Sequence, residues 1–168
     1  MSARREVWIT GIGLVSALGE GPDQHWDKLM AGGTPAYDDK TFAPYITFPV
    51  APLNLDTQIP KKGDQRQMEA WQRIGVYAAG LALTDAGIAK NTEILDKADM
   101  IVAAGGGERD VAVDAAILTD VRKSNAREAF VNERLMSDLR PTLFLAQLPN
   151  LLAGNISLVH GVVGSSRT

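Results

Sequence analysis

Residues 64–86 constrain this chain most, because they read as one helix that is apolar on nearly every side. Met68, Trp71, Gly75, Ala78, Ala82 and Ala86 fall on one face, and Ile74, Tyr77 and Leu81 on another. A helix with no polar face must be covered by other layers on both sides. Asp64 is expected to cap its N-terminus, with Gln67 three residues on, and the helix to run to about Asp85. The small residues Gly75, Ala78, Ala79, Gly80 and Ala82 let neighbouring backbones come close.

The rest of the chain supplies too little sheet to do the covering. Val7-Trp8-Ile9-Thr10 reads as a buried strand running into the turn Gly11-Ile12-Gly13, and the apolar run from Ala98 to Ala104 reads as a strand covered on both faces, ending in Gly105-Gly106-Gly107. Helices are expected after Gly21-Pro22, with Trp26, Leu29 and Met30 as an apolar face and Gly32-Gly33 as the stop, and around 111–122. A further helix should open with Asn125 as cap and Glu128 at its third position and break at Pro141; the last should run from Pro149 to Gly161. Between residues 34 and 60 the five prolines 35, 44, 49, 52 and 60 leave an irregular excursion, with a short edge strand near Phe48-Pro49-Val50. Two strands cannot sandwich a buried helix. The 168 residues are therefore expected to be part of a larger unit, ending at Gly164-Ser165-Ser166-Arg167-Thr168 where another strand could begin.

Charge and composition exclude several functions. Seventeen Lys and Arg against twenty Asp and Glu give −3 at pH 7, which argues against a general nucleic-acid surface. The absence of cysteine removes disulfides, thiolate metal sites and a thiolate nucleophile from this chain. No segment has the apolar length of a membrane span, and the first ten residues lack the apolar core of a secretory signal, so a cytoplasmic protein is expected.

The chemistry-bearing motifs are sparse. Gly11-Ile12-Gly13 lacks the third glycine of a dinucleotide fingerprint, Ser16 standing in its place, so a close-packed turn accounts for it better than a pyrophosphate site. Gly105-Gly106-Gly107 lacks the Lys and Ser/Thr of a phosphate loop, which leaves tight packing and ligand contact equally open. Ser165 and Ser166 sit outside any Gly-x-Ser-x-Gly elbow. His25, on a polar turn, is expected exposed, and His160 is expected to gain from a helix C-terminal dipole when charged; both are read as structural. Asn155-Ile156-Ser157 matches a glycosylation pattern by chance, inside an apolar helix. Lys61, Lys62 and Arg66 gather at a helix N-terminus, where positive charge is unfavourable unless it serves an acidic partner or is balanced by Asp64 and Glu69.

Taken in order, these segments resemble the N-terminal half of the beta-ketoacyl-acyl carrier protein synthases, condensing enzymes of the thiolase superfamily. The resemblance is carried by Val7-Trp8-Ile9-Thr10-Gly11-Ile12-Gly13-Leu14-Val15-Ser16 with Leu18-Gly19, Trp26 to Gly32, Asp64-Gln65-Arg66-Gln67-Met68, and Thr84-Asp85-Ala86-Gly87-Ile88. It continues through the strand into the triple glycine and through Pro149-Asn150-Leu151-Leu152-Ala153-Gly154 to His160-Gly161. It implies an α/β fold of the thiolase-like layered α-β-α-β-α type, with this chain as an N-terminal ketoacyl synthase domain spanning 1–168, incomplete at its C-terminal end. The implied reaction is the decarboxylative condensation of acyl and malonyl units carried on acyl carrier protein, in fatty acid or polyketide synthesis, with no cofactor and no metal. Acyl carrier protein is the implied partner, together with a homodimer or a heterodimer with an active synthase subunit. The alternative is a non-catalytic subunit of the chain-length-factor type.

The family's cysteine, its two catalytic histidines and its lysine match no position here, so no catalytic residue is expected in this chain, and the isolated chain is expected to be inactive. Two features carry over. Lys62 and Arg66 match basic carrier-docking positions, with Gly63 and Gln67 where further basic residues stand in the family. Glu108 falls at an acyl-pocket and dimer-interface position where an apolar residue is usual, and Ser165 and Arg167 depart from the pattern leading to the nucleophile.

Overall fold

The computed structural model describes residues 6–105 and 109–168. Val7, Trp8 and Ile9 do not form the expected strand: no other segment pairs with them among the described residues, and Trp8 is 77% exposed. A strand of β-branched and aromatic residues forms only where a neighbour offers an edge and a covered face. The chain instead enters a tight antiparallel hairpin of β1 (Val15–Ser16) and β2 (Gly19–Glu20), which turns directly into α1 (Gly21–Met30), with Pro22 in its first turn. Trp26, Leu29 and Met30 face outward, and the buried residue of α1 is His25.

The Pro-rich excursion is irregular as expected, but no strand forms at Phe48-Pro49-Val50; a single bridge joins Asp38 to Thr47 instead. Prolines at 44, 49 and 52 remove donors that a ladder would need. The excursion is tied to the hairpin by Ala51 N donating to Ser16 O and ends in a 3-10 turn, Leu55–Thr57, after which Ile59 is fully buried.

The apolar stretch at 64–86 divides into two helices, α2 (Lys62–Gln67) and α3 (Ala70–Asp85). Asp64 caps neither: it lies within the first turn of α2, whose N-cap residue is Lys61. Met68 between them is extended (φ −89°, ψ 141°) and buried, and Glu69 opens α3 in a capping box with Gln72. The capping signal lay five residues further on than expected, because Glu69 and Gln72 match the pattern as well as Asp64 and Gln67 do.

The chain continues through α4 (Thr92–Leu95), β3 (Met100–Ile101), α5 (Val111–Asp120), a 3-10 turn at Val121–Lys123, α6 (Arg127–Asp138), α7 (Leu143–Ala146) and α8 (Asn150–His160), to end in β4 (Ser166–Arg167). Only Met100 and Ile101 of the apolar run 98–104 are a strand; they pair in parallel with Ser166 and Arg167, where the sequence anticipated one. Asn125 does not cap α6, whose N-cap residue Ala126 carries no side-chain cap bond; Ser124 Oγ accepts from Ala126 N instead. Pro149 and Gly161 bracket α8 as expected, Gly161 adopting the left-handed φ of 73°.

The core lies where α3 meets α8: Val76, Leu152 and Ile156 pack with Ile59, Met68, Leu95 and Val162. Gly75 lets the helices close, since a Cβ there would stand 2.7 Å from Leu152 Cδ1. On another face of α3, Gly11 and Gly13 rest on the backbone at Ala78, Ala82 and Ala86, and Ile12 N donates to Asp85 Oδ2 at 2.8 Å. The small residues of α3 thus admit a backbone on one side and a leucine on another. Among the described residues, no helix is long and apolar enough to cross a membrane.

Candidate functional site

Lys62 and Arg66 lie one turn apart on α2 and both side chains reach solvent, but they are not equivalent. Lys62 Nζ is bound to Asp56 Oδ1, and that bond, with a second from Gln65 Nε2 at 2.7 Å, holds the Asp56 carboxyl below its ordinary range. Gln65 is buried and anchors this corner through Ile59 O as well. Arg66 has no ion pair among the described residues and stands at the rim of a cleft of about 490 Å³. Below it, Glu69 takes a two-pronged contact from Arg140, 2.6 Å to Nη1 and 3.0 Å to Nη2, joining the start of α3 to the turn before α7. Gln72 accepts from Glu69 N and Asn155 Nδ2, while its own Nε2, sealed from solvent, has no partner among the described residues. Asn155 is thus a packing residue of α8.

A second cluster escaped the sequence reading. His25 is 7% exposed, not solvated. Its Nδ1 lies 2.7 Å from the Gly21 carbonyl and its Nε2 2.7 Å from Ser16 Oγ. A carbonyl can only accept, so Nδ1 carries a proton, and in the neutral ring Nε2 accepts from the serine hydroxyl. Serine, imidazole and orienting carbonyl stand in the order of a nucleophile and its base. Ser16 Oγ also accepts from Leu18 N at 3.0 Å, and Lys28 Nζ reaches Leu18 O, so the cluster fastens the hairpin to α1. Ser16 and His25 are separated by a hairpin turn, a proximity no sequence period displays.

Tyr77 in α3 is a third such residue. It is 1% exposed, its hydroxyl donates to Glu20 Oε2 at 2.8 Å, and Thr57 Oγ1 lies 3.0 Å away. Burial, reinforced by the Glu20 carboxylate, holds the phenol above its ordinary pKa.

His160 is half-buried at the end of α8, its Nε2 2.8 Å from the Val76 carbonyl. Desolvation outweighs that bond and lowers its pKa, so the expected stabilisation of a charged ring at the helix terminus is reversed. Ser165 N donates to Asp99 Oδ1 at 2.9 Å and Ser166 lies in β4; neither hydroxyl joins a base among the described residues. Glu108 lies outside the described residues. No cluster of three or more metal-ligating side chains exists among the described residues.

The fold and the sequence are similar to those of known proteins. A crystal structure of a beta-ketoacyl synthase from Burkholderia phymatum superposes with a TM-score of 0.65 at 23% identity, covering 94% of this chain and 37% of that one. The fold is thus of the thiolase-like α/β kind. A 3-oxoacyl-[acyl-carrier-protein] synthase 2 of Vibrio cholerae is 23% identical over 167 residues, and the protein of the same name in Rhizobium meliloti is 26% identical over 177. These matches cover 96% and 98% of this chain but 37% and 39% of those relatives, so the chain spans well under half their length. Residues 4–168 match the family model described as beta-ketoacyl synthase, N-terminal domain, and the chain belongs to the beta-ketoacyl synthase family.

Proposed function

We propose that this chain contributes the N-terminal part of a 3-oxoacyl-[acyl-carrier-protein] synthase, working in fatty acid biosynthesis on acyl groups carried by an acidic carrier protein, in a cytoplasmic homodimer. The observation that carries this reading is the continuous family match over residues 4–168, with an exposed arginine on α2, free of ion pairs among the described residues, where carrier docking is expected. Because the chain holds no cysteine, it brings no thiolate for acyl transfer, and its part in the reaction is to present the carrier and build the fold around the site.

Arg66 is the principal docking charge in this reading, and Lys62 a weaker one because Asp56 neutralises it. Binding of a bacterial holo acyl carrier protein, measured by surface plasmon resonance at low salt, tests the order. Arg66→Glu should slow association about tenfold, Lys62→Glu should do less, and Asp56→Asn should speed association by releasing Lys62, all three effects shrinking as salt is raised. Equal affinity for wild type and Arg66→Glu at low salt would remove the docking assignment.

A further inference from the structure

We propose that the cleft between the middle of α3, the segment after the 3-10 turn at Leu55–Thr57, and the end of α8 is a binding site for a small hydroxylated anion. The cleft holds about 590 Å³ and is lined by Gln58, Gly80, Thr84, Lys90 and His160, with Leu83 and Val159 as apolar wall. That volume lies within the range of small-molecule sites, which pair an apolar wall with a few convergent polar groups.

Three polar side chains line the cleft without partners for a ring nitrogen, an amide and an ammonium among the described residues. The bond from His160 to the Val76 carbonyl requires a proton on Nε2, so in the neutral ring Nδ1 keeps its lone pair, and no protein donor meets it. The side-chain amide of Gln58 makes no hydrogen bond either, and its Oε1 and the His160 ring close together over Gly80. A Cβ on that glycine would lie 2.3 Å from Gln58 Oε1 and 2.5 Å from His160 Cε1, so the bare backbone is what lets both groups reach this place. Lys90 is exposed and has no ion pair.

Lys90 supplies a second, independent observation. Its φ of 65° is the one positive value at a non-glycine position among the described residues. Glycine adopts that conformation without strain and lysine does so at a cost, and strained backbone of this kind gathers at functional sites. The ammonium would take the ligand's anionic group, His160 Nδ1 would accept from its hydroxyl, and the Gln58 amide would meet a further oxygen. A phosphate or carboxylate next to an alcohol has that set of groups.

Glycerol 3-phosphate is the probe. Titrated into the 168-residue chain, it should move the Cε1 proton of His160 saturably at or below about 10 mM in NMR spectra, a readout that a purely structural histidine would not give. By calorimetry Lys90→Gly should weaken binding about tenfold or more while raising the melting temperature, because it removes the anion contact and the backbone strain together. His160→Gln, whose amide N–H can keep the bond to the Val76 carbonyl but which lacks the ring lone pair, should weaken binding by a similar factor. Circular dichroism establishes that each variant is folded, and Lys90→Gly decides alone if His160→Gln is not. A titration without saturation, an affinity unchanged in either folded variant, or inorganic phosphate binding as tightly as glycerol 3-phosphate would overturn the proposal.

Discussion

Helix α5 is as apolar as α3, yet the two have opposite fates. Together α3 and α8 bury Val76, Tyr77, Leu152, Ala153 and Ile156, whereas α5 buries only Ile117 and leaves Val111 and Leu118 exposed at 70% and 64%. The neighbouring α6 buries no residue. Hydrophobicity alone therefore does not decide which helix enters the core. The α3–α8 contact has shape: Gly75 opens a notch that Leu152 fills. No notch or knob of that kind joins α5 to α6 among the described residues. The largest expected effect follows. Leu152→Ala should destabilise the fold by about 2–5 kcal/mol in urea denaturation, while Leu118→Ala should stay within about 0.5 kcal/mol. Equal losses at the two positions would mean that α5 is buried as deeply as α3 in solution.

The glycines sharpen the same contrast. A Cβ at Gly13 would stand 1.8 Å from the Ala78 carbonyl oxygen, which is backbone and cannot rotate away, whereas at Gly154, within α8, nothing lies within 4 Å. Gly13→Ala should cost about 3 kcal/mol, near the upper end of ordinary overpacking. Gly154→Ala should stabilise by about 0.5–1 kcal/mol, since alanine loses less conformational freedom in a helix. Chemical denaturation of the two variants should therefore shift the midpoint in opposite directions. A neutral Gly13→Ala would detach the Gly11-Ile12-Gly13 turn from α3.

The sequence exposed what depends on local chemistry and missed what depends on distant partners. Pro149 and Gly161 mark α8 because capping is decided within a turn, and the small face of α3 announced its close contacts because side-chain volume is readable residue by residue. The break at Met68 was hidden because two capping patterns, at Asp64 and at Glu69, overlap in one apolar stretch. The strand expected at Val7 to Thr10 has the right propensity but no paired edge among the described residues, and pairing, unlike propensity, is not a property of the segment. In the candidate docking surface the residue types were readable, but the capture of Lys62 by Asp56 was not, because the two are brought together by the path of the chain from the 3-10 turn at Leu55–Thr57 into α2. His25 read as solvated because it falls on a polar turn of α1, among Asp23, Gln24 and Lys28; its burial comes from the folding of the hairpin back on α1.

The smallest effect concerns His160, half-buried at the end of α8 against α3. Burial depresses its pKa below the ordinary 6.5, and the bond to the Val76 carbonyl only partly opposes this. The folded chain therefore holds the ring neutral at pH values where the unfolded chain has already taken up a proton. Stability from this group is complete above about pH 6.5 and declines as pH falls from there through the lower folded-state pKa. The depressed carboxyls of Asp38, Asp56 and Asp120 act in the same direction, but their ordinary value of 3.8 places their losses in more acidic solution. Between pH 6.5 and 5 the wild type should lose a few degrees of melting temperature, roughly the shift expected of a single modest perturbation in a domain of this size. His160→Gln, which cannot titrate, should flatten that part of the curve and leave the steeper loss below about pH 4 intact. A slope that survives the substitution would place its origin in another group and would mean that the end of α8 is open to water, as α5 is, and not closed against α3.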